Sequence, residues 1–136
     1  METNDTLTGL NVRVEIGDFD FYIHVVDNAD GSLNELRITS TRKDSDMKTL
    51  ITAVYELINL CVAYGVPIIA IVQRLEYMQG DTGGVTNNPD IRIVSSVVDF
   101  VAKFLKRRYC GGDNGDTSQS QTIPFAAILR GEAGAT

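Results

Sequence analysis

The sequence predicts an α+β fold in which a small antiparallel sheet of about three strands packs against three helices. Apolar and polar residues alternate over residues 10–40, which is typical of half-buried strands. Beyond this region apolar residues recur every three or four positions, which is typical of amphipathic helices. At 136 residues and 43% hydrophobic content, the chain is long enough for one core.

Strands are predicted over residues 10–16, 19–27 and 33–40. The residues that share the inward face of the first strand are Leu10, Val12, Val14 and Ile16. A Gly-Asp pair at 17–18 and the segment Asn-Ala-Asp-Gly at 28–31 are turn sequences. Tight turns of this kind predict an antiparallel meander with one apolar face.

Helices are predicted over residues 45–64, 67–78 and 90–109. The apolar stripe of the first is expected to be buried and consists of Met47, Leu50, Ile51, Val54, Leu57, Ile58 and Cys61. Gly65 is the left-handed stop expected after this helix. Asp90 is expected in the first turn of the third helix, where a carboxylate favours the helix dipole.

We expect one domain over residues 1–110. A polar linker follows over 111–121, and an apolar tail covers 122–136. The tail is expected to dock into a groove, which belongs either to this chain or to a neighbouring subunit. Because one small sheet and its helices leave much apolar surface uncovered, the sequence favours a homo-oligomer.

Composition excludes several classes of partner. The formal net charge of −6 argues against long nucleic acid, although a local pocket for a small phosphorylated ligand remains compatible with it. No apolar run approaches the roughly 18 residues of a membrane span. The polar, acidic start does not resemble a signal peptide, so we expect a cytoplasmic protein without membrane partners.

Catalytic chemistry is not indicated. The chain has a single histidine, His24, and neither a Ser-His-Asp arrangement nor a metal-binding spacing. Cys61 is expected to be a buried small hydrophobe, whereas Cys110 is either inert or a reactive thiol at a helix end. We therefore expect no catalytic residues, no metal and no cofactor, and predict that the chain is not an enzyme.

The loop over residues 83–92 is the main candidate site, and its polar side chains are Thr86, Asn87, Asn88, Asp90 and Arg92. A glycine-opened loop before a helix offers free N–H groups to an anion. Asn reads a base or a ribose hydroxyl, Asp accepts ribose hydroxyls, and Arg pairs with phosphate. The same residues are also good turn and cap residues, so both interpretations stand.

Four further residues are candidates outside the loop. Tyr77 either stacks on a base or packs in the core, and Met78 lies next to it. Arg107 and Arg108 either complement the dipole at the end of the third helix or reach the pocket of a partner across a two-fold axis.

Three segments together resemble a known family: residues 62–67 (Val-Ala-Tyr-Gly-Val-Pro), 85–92 (Val-Thr-Asn-Asn-Pro-Asp-Ile-Arg) and 95–101 (Ser-Ser-Val-Val-Asp-Phe-Val). They look like the TSCPD domain, the small C-terminal domain of adenosylcobalamin-dependent ribonucleotide reductases, over about residues 12–110. The reductase barrel, the radical site, the cobalamin-binding parts and the Cys-Pro pair that names the domain have no counterpart here. The resemblance thus implies that this chain does not reduce ribonucleotides by itself.

The chain is also similar to the phage Thoeris anti-defence 1 proteins, which sequester cyclic ADP-ribose isomers, and in some members cyclic oligonucleotides, without cleaving them. This resemblance implies dimers with a pocket at the interface, a hexamer built as a trimer of dimers, and the cytoplasm of an infected or lysogenic bacterium. The family's pocket Asn and Asp map to Asn88 and Asp90, and its aromatic maps to Tyr77 or Met78. The alternatives are a separately encoded accessory domain of a ribonucleotide reductase and an enzyme that cleaves cyclic nucleotides.

Overall fold

The α+β class is confirmed by the structure, a computed structural model that describes residues 7–41 and 45–111. The predicted tail and the predicted linker after Gly111 lie outside the described residues. The elements in chain order are β1 (Thr8–Ile16), β2 (Phe19–Asp27), β3 (Leu33–Ser40), α1 (Ser45–Ala63), α2 (Ile68–Leu75), β4 (Gly84–Val85), β5 (Ile93–Val94) and α3 (Val97–Tyr109).

The first three strands form one antiparallel sheet in the order β1-β2-β3. Alternate residues of β2 are buried, as the period-two pattern predicts. The helix α3 packs on this buried face, where the ring of Phe100 meets Phe21 edge-on with centroids 6.0 Å apart. The helix α1 packs against β3, and α2 packs against α3. The core therefore lies between one face of the sheet and the helices.

Both edges of the three-stranded sheet are occupied by an asparagine side chain. On the β3 edge, Asn59 of α1 accepts the N–H of Leu36 and donates to its carbonyl oxygen, both at 2.8 Å. On the β1 edge, Asn87 accepts the N–H of Glu15 at 2.9 Å and donates to the carbonyl oxygen of Arg13 at 3.2 Å. A carboxamide presents a donor and an acceptor as a peptide group does, so each side chain continues the ladder by one step.

The third helix begins at Val97, so the predicted start at residue 90 is wrong. Ser96 is its N-cap: the side-chain oxygen accepts the N–H of Asp99 at 3.0 Å, and Asp99 accepts the N–H of Ser95 at 2.7 Å. The preceding residues form a hairpin instead, because β4 pairs with β5. Asp90 consequently lies in a hairpin loop, and the expected anion site at a helix start over residues 83–92 is not formed.

Other boundaries differ by a few residues. The predicted second helix, 67–78, covers only Ile68–Leu75, so Tyr77 and Met78 lie beyond its end. The first helix ends one residue earlier than predicted, and β1 starts two residues earlier.

The predicted buried stripe of α1 is only partly buried. Ile51 and Ile58 are in the core, whereas Leu50 and Leu57 are 65% and 60% exposed. Tyr55 takes a core position instead. The prediction that Leu50 and Leu57 are buried was wrong because α1 is apolar on two sides. The spacing of apolar residues does not show which of the two sides packs against the sheet.

Candidate functional site

The loop between β4 and β5 is fixed from inside by Thr86. This side chain is 3% exposed, and its hydroxyl donates to the carbonyl oxygen of Ile91 and accepts the N–H of Asn88 at 3.0 Å. The N–H of Thr86 also donates to the carbonyl oxygen of Arg92 at 2.8 Å. Thr86 therefore shapes the loop, and its hydroxyl is bonded within it.

Asn87 is likewise a structural residue. Its amide nitrogen and its carbonyl oxygen are both bonded to β1, and its backbone N–H donates to the carbonyl oxygen of Glu15 at 3.2 Å. An isolated bridge between Ile16 and Thr86 adds to this contact. Two consecutive residues of the loop, Thr86 and Asn87, therefore attach it to the β1 edge of the three-stranded sheet.

A cavity of about 250 Å³ opens between this loop and the last turns of α3. The residues that line it are Asn88, Asp90, Ile91, Phe104, Arg107 and Arg108. Four of the nine candidate residues thus come together in one chain, and Ile91 and Phe104, both buried, add an apolar floor. Arg107 and Arg108 reach the cavity of their own chain, with no partner needed.

The polar groups of the cavity differ in how firmly they are held. Asn88 accepts the N–H of Asp90 at 2.8 Å, which fixes a local turn. The carboxylate of Asp90 is 64% exposed and lies 3.8 Å from the guanidinium of Arg107, which is itself 39% exposed. This long and solvated contact contributes little to stability, so both groups are available to a ligand.

Arg108 is anchored more firmly, by a residue that the sequence did not single out. It donates to Asp27 at 2.5 Å, and the carboxylate of Asp27 is 8% exposed. The hydroxyl of Tyr109 donates to the other oxygen of the same carboxylate. Burial and the bond to Asp27 raise the pKa of Tyr109 above its ordinary value, so it stays a neutral donor. Burial alone lowers the pKa of Arg108, but the bonds to Asp27 and Tyr109 raise it overall.

The remaining candidates do not line the cavity. Tyr77 has a positive φ of 70°, and its N–H donates to Asp99 at 2.7 Å while the ammonium of Lys103 lies 3.8 Å from its ring centre. Tyr77 is 66% exposed, so it does not pack in the core, which was one of the two alternatives for it; stacking on a base stays a prediction. Met78 is also exposed, and Arg92 donates to the carbonyl oxygen of Thr86 at 3.3 Å.

Within residues 7–41 and 45–111, no group of His, Cys, Asp and Glu side chains is placed to hold a metal ion. His24 lies on the outer face of the sheet, where its Nε2 is 2.9 Å from the hydroxyl of Thr39 and its ring stacks on Tyr22. Burial raises the pKa of the Cys110 thiol, which lowers its thiolate fraction and with it its reactivity. None of the helices in the described part of the chain is long and apolar enough to cross a membrane.

These features define a small α+β domain with one loop tied to a sheet edge and a cavity of mixed charge beside it. The chain belongs to the TSCPD domain family, whose pattern matches residues 2–109. It is 29% identical over 110 residues to a vitamin B12-dependent ribonucleotide reductase of Rhodopirellula baltica, covering 81% of this chain and 11% of that protein. It is 24% identical over 97 residues to the proteins of that name from Streptantibioticus cattleyicolor and Streptomyces avermitilis.

In those two cases 71% of this chain is covered, against 16% and 10% of the relatives. The chain therefore spans between a tenth and a sixth of the length of these curated relatives. No solved structure matches it.

Proposed function

We propose that the chain binds a nucleotide in the cavity between the β4–β5 loop and α3. The observation that carries this proposal is the composition of the lining: two guanidinium groups, one exposed carboxylate and one carboxamide above an apolar floor. Arg107 and Arg108 suit phosphate, Asp90 suits the two hydroxyls of a ribose, and Asn88 suits a base edge or a ribose hydroxyl. Ile91 and Phe104 give a ring something to pack against.

The ligand class we propose is a cyclic nucleotide second messenger, either a cyclic ADP-ribose isomer or a cyclic oligonucleotide. Its capture without cleavage would antagonise anti-phage signalling in the bacterial cytoplasm. The similarity to the Thoeris anti-defence 1 proteins motivates this step. The lining agrees with it, since its groups bind charge and hydroxyls but include no pair of a nucleophile and a base.

A second copy of the chain is part of this proposal. The cavity holds about 250 Å³, which is below the roughly 300–1,000 Å³ of pockets that enclose a drug-sized ligand. A single chain would therefore cover only part of a cyclic dinucleotide-sized molecule. A neighbouring subunit that presents its exposed Tyr77 and Met78 would supply the stacking surface that the cavity of one chain lacks.

Calorimetry with purified protein tests the binding, using cyclic ADP-ribose isomers and cyclic trinucleotides, with linear ADP-ribose as a contrast. We expect Arg107→Gln to weaken binding at least about tenfold, because it removes one charge-assisted contact. Arg92→Gln is the matched control, since it makes the same charge change outside the lining. No heat with any ligand, or equal effects of the two variants, would refute the proposal.

Recovery of the ligand distinguishes a binder from an enzyme. After incubation the protein is denatured, and the released nucleotide is analysed by chromatography and mass spectrometry. A sequestering protein returns the ligand unchanged in a one-to-one ratio with its sites. If the fraction of converted nucleotide increased with incubation time, the protein would be an enzyme that cleaves its ligand, and sequestration would be refuted.

A second candidate function is favoured by the comparisons: an accessory domain that acts with a ribonucleotide reductase. The relatives carry the matching segment as a small part of a vitamin B12-dependent reductase. A pull-down with the large reductase subunit of the same host tests it. Retention of that subunit, together with no binding of cyclic nucleotides, would support this function over the first.

A further inference from the structure

Tyr77 has an unusual backbone conformation for a residue with a large side chain. Within residues 7–41 and 45–111 it is the one residue other than glycine with a positive φ, 70°. A bulky residue is strained in this conformation, whereas glycine adopts it freely. Such strain costs free energy and persists only where the surrounding structure imposes it. The backbone of this turn would suit glycine better, so the presence of the tyrosine ring needs an explanation.

The buried carboxylate of Asp99 holds this turn in place. The side chain is 1% exposed. Its Oδ1 accepts the N–H of Tyr77 and its Oδ2 accepts the N–H of Ser95, both at 2.7 Å. The carbonyl oxygen of Met78 accepts the hydroxyl of Ser96 at 2.6 Å. Two consecutive residues are thus bonded to the start of α3, which fixes the direction in which the side chain of Tyr77 leaves the backbone.

The ammonium of Lys103 holds the ring itself. It lies 3.8 Å from the ring centre of Tyr77, over one face, and 2.6 Å from Oδ1 of Asp99. A second carboxylate, that of Glu76, is 3.5 Å from the same ammonium. Two carboxylates therefore keep the cation against the ring, which it attracts electrostatically. Since Tyr77 is 66% exposed, the opposite face of the ring is open to solvent.

Packing does not account for the tyrosine at this position. The residue is mostly exposed, so its ring adds little to the core. The bond to Asp99 uses a backbone N–H, which glycine would supply equally well and without strain. Backbone strain that is not repaid by packing is typical of functional sites, where it presents a side chain in one fixed orientation.

We propose that Asp99 and Lys103 are positioning residues, which hold the ring of Tyr77 so that its open face stacks on a flat ring of the ligand, the base of a nucleotide. This inference rests on the proposed function, in which Tyr77 of one chain completes the cavity of another. A ring that is already held in its binding orientation loses little conformational entropy when a base stacks on it. The stacking contact therefore contributes more to affinity than it would from a freely rotating side chain.

Melting temperatures test the strain without a ligand. Tyr77→Gly and Tyr77→Ala both remove the ring, but only glycine relieves the positive φ. We expect Tyr77→Gly to melt above Tyr77→Ala and close to wild type. If the ring were instead needed for the fold, both variants would melt well below wild type, and this result would overturn the proposal.

Nuclear magnetic resonance measures the position of the ring. The methylene protons next to the ammonium of Lys103 should resonate upfield in wild type, because the ring current of Tyr77 shields groups over its face. The upfield shift should disappear in Tyr77→Leu. It should decrease in Asp99→Asn, because the ammonium loses the charge of its nearest carboxylate. Resonances of Lys103 that are the same in wild type and Tyr77→Leu contradict the positioning.

Calorimetry with cyclic ADP-ribose isomers and cyclic trinucleotides tests the consequence for binding. Lys103→Met should weaken binding about two- to fivefold, and Lys103→Arg, which keeps the cation, should largely restore it. Lys106→Met is the matched control, since it removes the same charge from a lysine of α3 that lies 3.6 Å from Glu76, and it should leave the affinity unchanged. In the Tyr77→Leu background Lys103→Met should have no further effect, because Lys103 acts through the ring.

The outcomes separate this inference from the proposed function. Binding that is weakened by Arg107→Gln but not by Tyr77→Leu overturns the inference and leaves the proposed function standing. An equal loss from Lys103→Met with and without the ring also overturns it, because Lys103 would then act by another route. No binding of any nucleotide refutes the proposed function, and this inference with it. Circular dichroism of each variant checks that it folds.

Discussion

Asn87→Ala should destabilise the whole domain, although the residue lies in a surface loop. The substitution removes the two side-chain bonds to β1 and leaves the N–H of Glu15 and the carbonyl oxygen of Arg13 without them. Each such bond contributes about 0.5–1.5 kcal/mol, and water replaces part of it at this exposed edge. We expect the free energy of unfolding to fall by about 1–2 kcal/mol, which lowers the melting temperature by about 4–10 °C for a chain of this size.

The neighbouring residue supplies the control. Asn88→Ala removes one bond, to the N–H of Asp90, within an exposed turn, so the loss should stay under about 1 kcal/mol. Urea unfolding followed by circular dichroism measures both variants, and calorimetry measures their nucleotide affinity. Asn87→Ala should lose mainly stability and Asn88→Ala mainly affinity. Equal stability losses in the two variants would refute the assignment of Asn87 to the scaffold and Asn88 to the site.

Two further predictions concern the start of α3. Burial raises the pKa of Asp99, but the bonds from Lys103 and two backbone N–H groups outweigh it, so the pKa lies below its ordinary value of 3.8. Asp99→Asn should therefore lower the free energy of unfolding by about 1–3 kcal/mol near pH 7. This difference should be fully present above pH 3.8 and should close as the pH falls further, through the lowered pKa of Asp99 in the folded protein. A difference that stays constant in urea titrations across this range contradicts the assignment. Gly83→Ala would place a Cβ 2.8 Å from the carbonyl oxygen of Ser95, so the free energy of unfolding should fall by about 1–3 kcal/mol in the same urea titration. Gly9→Ala is the control, since its Cβ would lie 3.8 Å from the nearest atom, and its free energy of unfolding should change little.

The strands were predictable because their period-two pattern extends over eight or nine residues each. The β4–β5 hairpin was not, since strands of two residues carry no period. The last helix was predicted to begin at residue 90, with Asp90 in its first turn. Ser96 was not predicted as its cap, although Ser96 stands three residues before Asp99, whose N–H it accepts in the fold. Ser96 is the cap in the fold, because Asn87 fastens the earlier segment to β1 as a hairpin.

The residue types of the candidate site could be predicted from the sequence, but their arrangement could not. Asn88 and Asp90 suggested a ligand, whereas nothing in the sequence joined them to Arg107 within one chain. Asp27 was out of reach of any local pattern, because it stands 81 residues before the Arg108 that it anchors. Only the packing of α3 across the end of β2 brings these groups together.

The two arginines of the cavity differ in how firmly a carboxylate holds them, and this difference affects how a phosphate would bind. To release Arg108, a ligand must displace Asp27, whose carboxylate is 8% exposed and would be left without its guanidinium. To recruit Arg107, it must replace only a 3.8 Å contact with a carboxylate that water already solvates. A charged group left unpaired in the interior costs far more than one left in water. In the proposed binding mode, Arg107 therefore turns to the phosphate. Arg108 stays bonded to Asp27 and donates to the phosphate through its remaining N–H groups.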